Sequence, residues 1–356
     1  MLPKLKIGDL ISKVPIVQGG MGVGISLSSL AGNVALNGGI GVISGVEIGF
    51  NELDYYKDKY KANIRALKYH IKRAKEISKN GIIGINLMTV LNNFEELVKE
   101  AVEEKIDIIF SGAGLPLNLP GLTKESNTKI VPIVSSARAI SIICRTWDKR
   151  YESAPDAVVV EGPLAGGHLG FSREELNNPE TELEKIVSEV MIALKPYKEK
   201  YNKEIPVIAA GGIFDGVDIA RLLKFGASGV QLGSRFAATY ECDASDDFKK
   251  SIVSAKKDDI GFIQSPVGLI GRAVKNRFLK EVELGNKRPV KCAVNCLKPC
   301  NPDEAPYCIA NALINAQKGN LNSGFAFAGA NAYKIENLVS VKELMDELVR
   351  DAEKNY

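Results

Sequence analysis

Eight short runs rich in Val and Ile alternate along this chain with longer segments of helical periodicity. The runs are Val14–Gln18, Ile40–Ser44, Ile82–Leu87, Ile106–Phe110, Ile130–Val134, Ala157–Val160, Pro206–Ala210 and Gly229–Leu232. Most are bounded by Gly, Pro or a polar turn, as expected of strands that are buried on both faces. Parallel strands need crossover helices, so the alternation predicts an α/β fold with a parallel sheet. Eight such strands favour a closed (β/α)8 TIM barrel.

An open, doubly wound sheet is the alternative arrangement of the same elements. That fold normally has fewer strands and places a Gly-x-Gly-x-x-Gly turn directly after its first strand. Here the first run ends in Gln18-Gly19-Gly20-Met21-Gly22, which fits that turn poorly. The barrel is therefore the favoured prediction.

The alternation of strand and helix patterns ends near residue 240. Residues 1–240 are expected to form the barrel core, and residues 241–356 a C-terminal extension that packs on it. The stretch from Cys242 to Tyr333 is expected to be rich in loops. Ser340 and Glu343 form a capping-box pattern, which predicts a closing helix after it.

Composition limits the classes of partner. The chain has 356 residues, 45% of them hydrophobic and 25% charged, with a formal net charge of +3. This small charge argues against nucleic acid or an anionic membrane as the main partner. No apolar run approaches the ~18 residues that span a bilayer, and no secretory signal is recognisable at the N-terminus. We expect a cytoplasmic protein that acts on a small molecule and that can form a homo-oligomer.

Two glycine-rich loops follow the last two predicted strands. One contains Gly211 and Gly212, and the other contains Gly233 and Ser234. In barrels, phosphate groups often bind to these two loops, because backbone N–H groups can approach them without obstruction by a Cβ atom. A tight turn between strand and helix explains either loop alone. Two on neighbouring strands favour a phosphate site.

A third glycine-rich loop follows the sixth strand and ends in a histidine. It runs from Glu161 through Gly166 and Gly167 to His168. The chain has only two histidines, and the other, His70, is expected on the surface of a basic helix. Imidazole titrates near neutral pH and suits proton transfer, so His168 is the candidate catalytic residue.

Further small or polar residues follow other strands. Gly19, Gly20, Met21 and Gly22 would let a flat ring approach the backbone, and Asn86 can offer a donor and an acceptor to the edge of a heterocycle. Tight turns explain each of these singly. Together they line one mouth with small, mostly uncharged residues, as a planar cofactor requires.

These motifs resemble those of the 2-nitropropane dioxygenase-like family, which includes nitronate monooxygenases and flavin-dependent enoyl-ACP reductases. The similarity runs from about Pro15 to Thr239 and lies in the first strand with its loop, the histidine loop and the two glycine loops. The resemblance implies non-covalent FMN and a proton-handling role for His168. It also implies that the flavin or the site is contacted by Asn86, Glu161 and Gln231, in addition to the loop residues Gln18, Gly19, Gly20, Met21, Gly22, Gly166, Gly167, Gly211, Gly212, Gly233 and Ser234.

Two positions depart from many relatives, which have Gln at position 161 and an acidic residue at position 164. This chain has Glu161 and Leu164 there. The favoured function is oxidation of nitronates or nitroalkanes with O2, as in a nitronate monooxygenase. An NAD(P)H-dependent flavin reductase, such as an enoyl-ACP reductase, remains open. A barrel that binds a phosphorylated ligand without redox chemistry is the alternative from another class.

Four cysteines lie close together in the extension, at Cys292, Cys296, Cys300 and Cys308. Their spacing matches no standard zinc or ferredoxin signature. We therefore expect free thiols and no bound metal.

Overall fold

The computed structural model describes residues 1–286, 292 and 295–356. The strands are β1 (Leu5–Ile7), β2 (Leu10–Ser12), β3 (Ile16–Gln18), β4 (Ile40–Ser44), β5 (Ile82–Met88), β6 (Ile108–Gly112), β7 (Lys129–Val134), β8 (Val158–Glu161), β9 (Gly167–His168), β10 (Val207–Ala210), β11 (Gly229–Leu232), β12 (Ile260–Gln264) and β13 (Ile270–Val274). Within the described residues, eight parallel strands close into a barrel in the order β10-β11-β3-β4-β5-β6-β7-β8. This confirms the predicted TIM barrel.

The barrel strands form where the sequence predicted them. The bounds of β4 and β11 match the predicted runs, and β3 begins two residues later than expected. Their side chains fill the barrel in a cluster that includes Val42, Phe110 and Ile208. Branched apolar side chains suit these strands because the interior and the helices cover both of their faces.

The helices are α1 (Ser28–Leu36), α2 (Lys59–Ser78), α3 (Phe94–Glu103), α4 (Leu119–Leu122), α5 (Ala137–Tyr151), α6 (Arg173–Asn177), α7 (Leu183–Tyr201), α8 (Gly216–Phe225), α9 (Ser234–Ala237), α10 (Asp246–Val253), α11 (Arg277–Glu283), α12 (Ile309–Gln317) and α13 (Val341–Asn355). The predicted closing helix is α13, which begins with the capping box of Ser340 and Glu343 and packs on α8 and α1. None of the described helices is both long and apolar enough to span a membrane.

An N-terminal hairpin, which the sequence did not predict, closes one end of the barrel. Its strands β1 and β2 pair antiparallel, and both Leu5 and Ile7 are 1% exposed. Leu5 packs close to Gly229 at the start of β11, and Lys129 at the start of β7 forms an ion pair with Asp9 at 2.6 Å. The hairpin therefore covers the amino ends of the strands and leaves their carboxyl ends for a site.

The extension combines loops with regular elements. The stretch from Cys242 to Tyr333 is rich in loops, as predicted, and between the loops it contains α10, α11, α12 and a hairpin of β12 and β13. The hairpin turn at residues 265–269 contains Pro266 and Gly268, a turn signal in the sequence. Strand β13 also pairs with β9, opposite Gly167 and His168. The extension and the histidine loop thus share one small sheet.

Candidate active site

A cavity of about 680 Å³ lies at the carboxyl ends of the barrel strands. It is within the size range of pockets that hold small molecules and cofactors. Of the residues predicted for the site, all except Gln18 line it: Gly19, Gly20, Met21, Gly22, Asn86, Glu161, Gly166, Gly167, His168, Gly211, Gly212, Gln231, Gly233 and Ser234. The fold therefore brings together residues from the ends of five barrel strands and the loops that follow them.

The loops after β3, β10 and β11 form one side of the cavity, which we call the barrel wall (residues 19–22, 211–212 and 233–234). Gly211 and Gly212 have φ angles of 98° and 84°, a backbone conformation that favours glycine. A Cβ at Gly233 would find only the Met21 sulfur within 4 Å, at 3.6 Å. The backbone at Gly233 thus faces open cavity space, as a phosphate cradle requires.

The glycines after β3 allow close contact between loops. A Cβ at Gly20 would overlap the side chain of Asn86, and one at Gly22 would lie 2.8 Å from the Ser44 hydroxyl. The side chain of Gln231 packs in the same way beside Gly19. The glycines therefore let the amides of Asn86 and Gln231 reach the cavity surface.

Gln18 does not line the cavity. Its side chain is fully buried, and its amide accepts a hydrogen bond from the Val42 N–H at 3.0 Å and donates one to the Val42 carbonyl at 3.1 Å. The register between β3 and β4 contains a single residue pair, Val17 with Ile40. The Gln18 amide extends that ladder, so its side chain is bonded to backbone and is not among the groups that line the cavity, which departs from the predicted site.

Residues of the extension form another side of the cavity, and we call the segments that contain them the extension wall (residues 265–272 and 325–332). From it, Ser265 lies 2.8 Å from His168, measured from Oγ to Nε2, and the Phe327 ring packs edge-on at 5.1 Å between ring centroids. Burial lowers the pKa of His168 to about 4. The imidazole is therefore neutral at neutral pH.

Arg272 holds the histidine loop against the extension. Its guanidinium donates to the carbonyl of Pro163 at 2.7 Å and to that of Ala165 at 2.6 Å, and it lies 4.7 Å from the Phe262 ring centroid. Only 6% of Arg272 is exposed. Sequence reasoning missed Arg272 and Ser265, because the pairing of β13 with β9 that brings them to the loop was not predicted.

The extension also closes the glycine-rich end of the cavity. The Ser234 hydroxyl accepts a hydrogen bond from the Gly329 N–H at 2.9 Å, and the Asn331 side chain donates to the Gly212 carbonyl. Residues 325–332 therefore fix the loops at which a phosphate was expected. The donors that remain for a ligand on these loops are backbone N–H groups and the Ser234 O–H, because the hydroxyl only accepts in its bond with Gly329.

Glu161, at the end of β8, is an acidic residue that lines the cavity. Its carboxyl makes no hydrogen bond or ion pair with any residue that the structure describes, whereas its backbone belongs to the pairing of β8 with β10. Burial raises its pKa to about 7. In contrast, the cavity-lining Glu47 is paired with Lys59 at 3.5 Å and bonded to the Tyr55 hydroxyl. The charge of Glu161 is thus balanced by no described neighbour.

His70 lies outside the cavity, on α2. It is half-buried, which corrects the expectation of a surface residue, and its Nδ1 lies 3.0 Å from the Ser28 hydroxyl on α1. Burial lowers its pKa to about 4. Its contact is between two barrel helices and is structural.

The cysteines of the extension lie beside the cavity. Cys296 is buried and lines it, Cys300 and Cys308 are half-buried, and Cys292 is exposed. All four are free thiols. Among the residues described, no three His, Cys, Asp or Glu side chains are arranged to hold a metal ion. That the protein binds no metal stays a prediction, which elemental analysis would test.

Comparison with known proteins agrees with this geometry. The sequence profile of the nitronate monooxygenase family matches residues 4–351. A probable nitronate monooxygenase of Staphylococcus aureus is 26% identical over 307 residues, which cover 79% of this chain and 81% of that protein.

Solved structures of two enzymes share the fold. FabK from Thermotoga maritima is 26% identical with a TM-score of 0.74, and the match covers 96% of this chain and 94% of that one. A nitroalkane oxidase from Streptomyces ansochromogenes has the same fold, with 20% identity, a TM-score of 0.74 and 97% coverage of both chains. Because the family profile spans nearly the whole chain, the chain belongs to the nitronate monooxygenase family, a family of flavin-dependent oxidoreductases.

Proposed function

We propose that this protein binds FMN and oxidises small nitronates with O2. The observation that carries the proposal is one cavity with a glycine cradle on the barrel wall and a neutral imidazole held by the extension wall. The cradle is open at Gly233, where a Cβ would meet only the Met21 sulfur. The described residues therefore fit a phosphate and a flat ring.

In this proposal, backbone N–H groups near Gly211, Gly212, Gly233 and Ser234 hold the phosphate. Asn86 and Gln231 contact the ring edge with their amides, which can donate and accept. FMN, when bound, supplies the redox chemistry, and the protein supplies binding, orientation and control of access. His168 supplies the group that handles a proton or donates a hydrogen bond to the substrate.

A reductase that takes hydride from NAD(P)H is the second candidate. The observation in its favour is the apolar part of the cavity, lined by Leu115, Leu297, Leu313, Phe325 and Phe327. This part would accommodate an acyl chain, as in an enoyl thioester. Similarity to FabK from Thermotoga maritima is compatible with this candidate.

Anaerobic mixing separates the two candidates. We expect the purified protein to be yellow and to lose its flavin absorbance when a nitronate is added without O2. Bleaching by NADH or NADPH, but not by a nitronate, would favour the reductase. A colourless protein that binds FMN neither as purified nor on reconstitution would favour a phosphate-binding barrel without redox chemistry.

A further inference from the structure

The contact between His168 and Ser265 joins the histidine loop to the turn of the β12–β13 hairpin. Ser265 is 3% exposed, and its Oγ lies 2.8 Å from His168 Nε2. The turn is fixed by its own backbone: the Ser265 N–H donates to the Leu269 carbonyl at 2.9 Å, and the Gly268 N–H donates to the Ser265 carbonyl at 3.1 Å. The hydroxyl is therefore presented to the imidazole by a hydrogen-bonded turn.

The surroundings of the hydroxyl decide which partner donates. Ser265 Oγ already accepts from the Val267 N–H, at 3.4 Å. Among the residues described, His168 Nε2 is the one acceptor that the Ser265 O–H reaches. A hydroxyl can accept two hydrogen bonds, but a hydrogen on Nε2 would leave the buried Ser265 O–H without an acceptor among the described residues, and an unsatisfied buried donor is costly. We therefore assign Nε2 as the acceptor of the Ser265 O–H. The hydrogen of a neutral imidazole then resides on Nδ1.

Nδ1 is the ring nitrogen left for a ligand. It makes no hydrogen bond with any described residue, and the ring lines the cavity. Which nitrogen of a histidine carries the proton is set by the hydrogen bond that the other nitrogen makes. We propose that Ser265 is a positioning residue that fixes the tautomer of His168, so that the imidazole presents an N–H donor to the substrate.

This tautomer has a consequence for the substrate, which rests on the proposed function. An N–H donor stabilises negative charge on a substrate oxygen, as donors in an oxyanion hole do. A nitronate carries that charge when it enters, whereas a neutral nitroalkane must first lose a proton to a base. With its hydrogen on Nδ1, His168 offers no lone pair to the cavity. The arrangement therefore favours a preformed nitronate as substrate.

The chain provides a matched pair for the test, because each of its two histidines contacts one serine. His168 contacts Ser265, and His70 contacts Ser28. In protein labelled with ¹⁵N at the histidine rings, NMR correlations between ring nitrogens and ring hydrogens report the tautomer of each imidazole. A His70→Gln variant assigns the two signals. We expect His168 in the wild type to carry its hydrogen on Nδ1.

The Ser265→Ala variant should move the His168 signals to the Nε2–H form or to a mixture of both. Ser28→Ala, the matched control, should change the signals of His70 alone. Ser265→Thr keeps the hydroxyl and should keep the wild-type tautomer, and Ser265→Cys, whose thiol is a weaker donor, should give a mixture. If His168 carries hydrogen on Nε2 in the wild type, or on Nδ1 in both Ser265→Ala and Ser265→Cys, the proposal is wrong.

Turnover provides the second measurement. With flavin content equal, Ser265→Ala should lower kcat on a nitronate by about tenfold, the effect of one misplaced hydrogen bond on a transition state. Ser265→Thr should restore most of it. The tautomer is measured without substrate, so that measurement tests the role of Ser265 even if the protein oxidises no nitronate. A protein that oxidises no nitronate would contradict the proposed function only. Wild-type kcat in Ser265→Ala with an altered tautomer would remove the catalytic part of the proposal.

Discussion

The two walls of the cavity offer different chemistry. The barrel wall offers mainly backbone, through Gly211, Gly212 and Gly233 on two neighbouring strands. The extension wall brings side chains, and Ser265 and Arg272 hold the loop that carries His168. Backbone donors can bind any phosphate, whereas the extension wall determines the orientation and the protonated nitrogen of the imidazole. In the proposed function, the barrel wall binds the cofactor and the extension wall determines the reaction.

The largest effect is expected at His168, where a substitution should impair the reaction without impairing cofactor binding. Replacement by Ala removes the proposed substrate contact and leaves the glycine cradle intact. Loss of one preorganised hydrogen-bond donor to a negatively charged oxygen typically costs ~10²–10³-fold in kcat. We expect His168→Ala to purify with a full flavin spectrum and to lose turnover by that factor, measured as kcat on a nitronate.

The control for His168→Ala is His70→Gln, which changes the other histidine of the chain and lies outside the cavity. It should keep turnover within about twofold, as expected of a position distant from the reaction. A small loss of turnover in His168→Ala would show that the imidazole is structural. Glu161 would then be the next candidate for proton handling.

A second variant tests the barrel wall alone. Gly233 has a φ of −117°, which other residues adopt, and a Cβ there meets no atom closer than 3.6 Å. Gly233→Val should therefore keep the fold and fill the space of the phosphate. We expect FMN binding to weaken by about 100-fold or more, roughly 2.7 kcal/mol, in a titration of apoprotein.

The thermal midpoint of the Gly233→Val apoprotein should match that of the wild-type apoprotein, which excludes misfolding as the cause. Gly212→Val should also lose FMN, but it is a harsher change, because Gly212 has a φ of 84° and a Cβ there would lie 2.8 Å from Leu164. Wild-type FMN affinity in Gly233→Val would place the phosphate elsewhere in the cavity.

The two walls also differ in how far the sequence predicted them. The loops of the barrel wall each follow a strand, and parallel strands in a barrel end on the same face, so their convergence on one cavity was predictable. Ser265 is 97 residues from His168 along the chain. No local pattern links the two, because the pairing of β9 with β13 depends on how the extension packs.

Gln18 shows a different limit of sequence reasoning. Its place at the end of the first strand, next to a glycine loop, predicted a cofactor contact. The side chain instead lies buried beside β4, where its amide bonds the Val42 backbone next to a short ladder between β3 and β4. A side chain at a strand end can contact a cofactor or bond the backbone of a neighbouring strand. The strand register decides between the two, and it was not predictable from the sequence.

The smallest expected effect concerns Glu161, which adds a titratable charge to the cavity. Burial destabilises the carboxylate and raises its pKa to about 7, so the group is neutral below that pH and anionic above it. An anionic nitronate should bind less well as pH rises through 7, with KM increasing by about 3- to 10-fold, or at most about 1.4 kcal/mol of repulsion.

Glu161→Gln stays neutral, so its KM should change only through ionisation of the substrate itself. The ratio of the two KM values, measured from about pH 6 to about pH 8, therefore isolates the carboxyl, because any titration of the substrate cancels. A ratio that rises with a midpoint near 7 would show that Glu161 faces the bound anion. If the ratio of the KM values stays constant with pH, the substrate binds away from β8, in the part of the cavity that the extension wall lines.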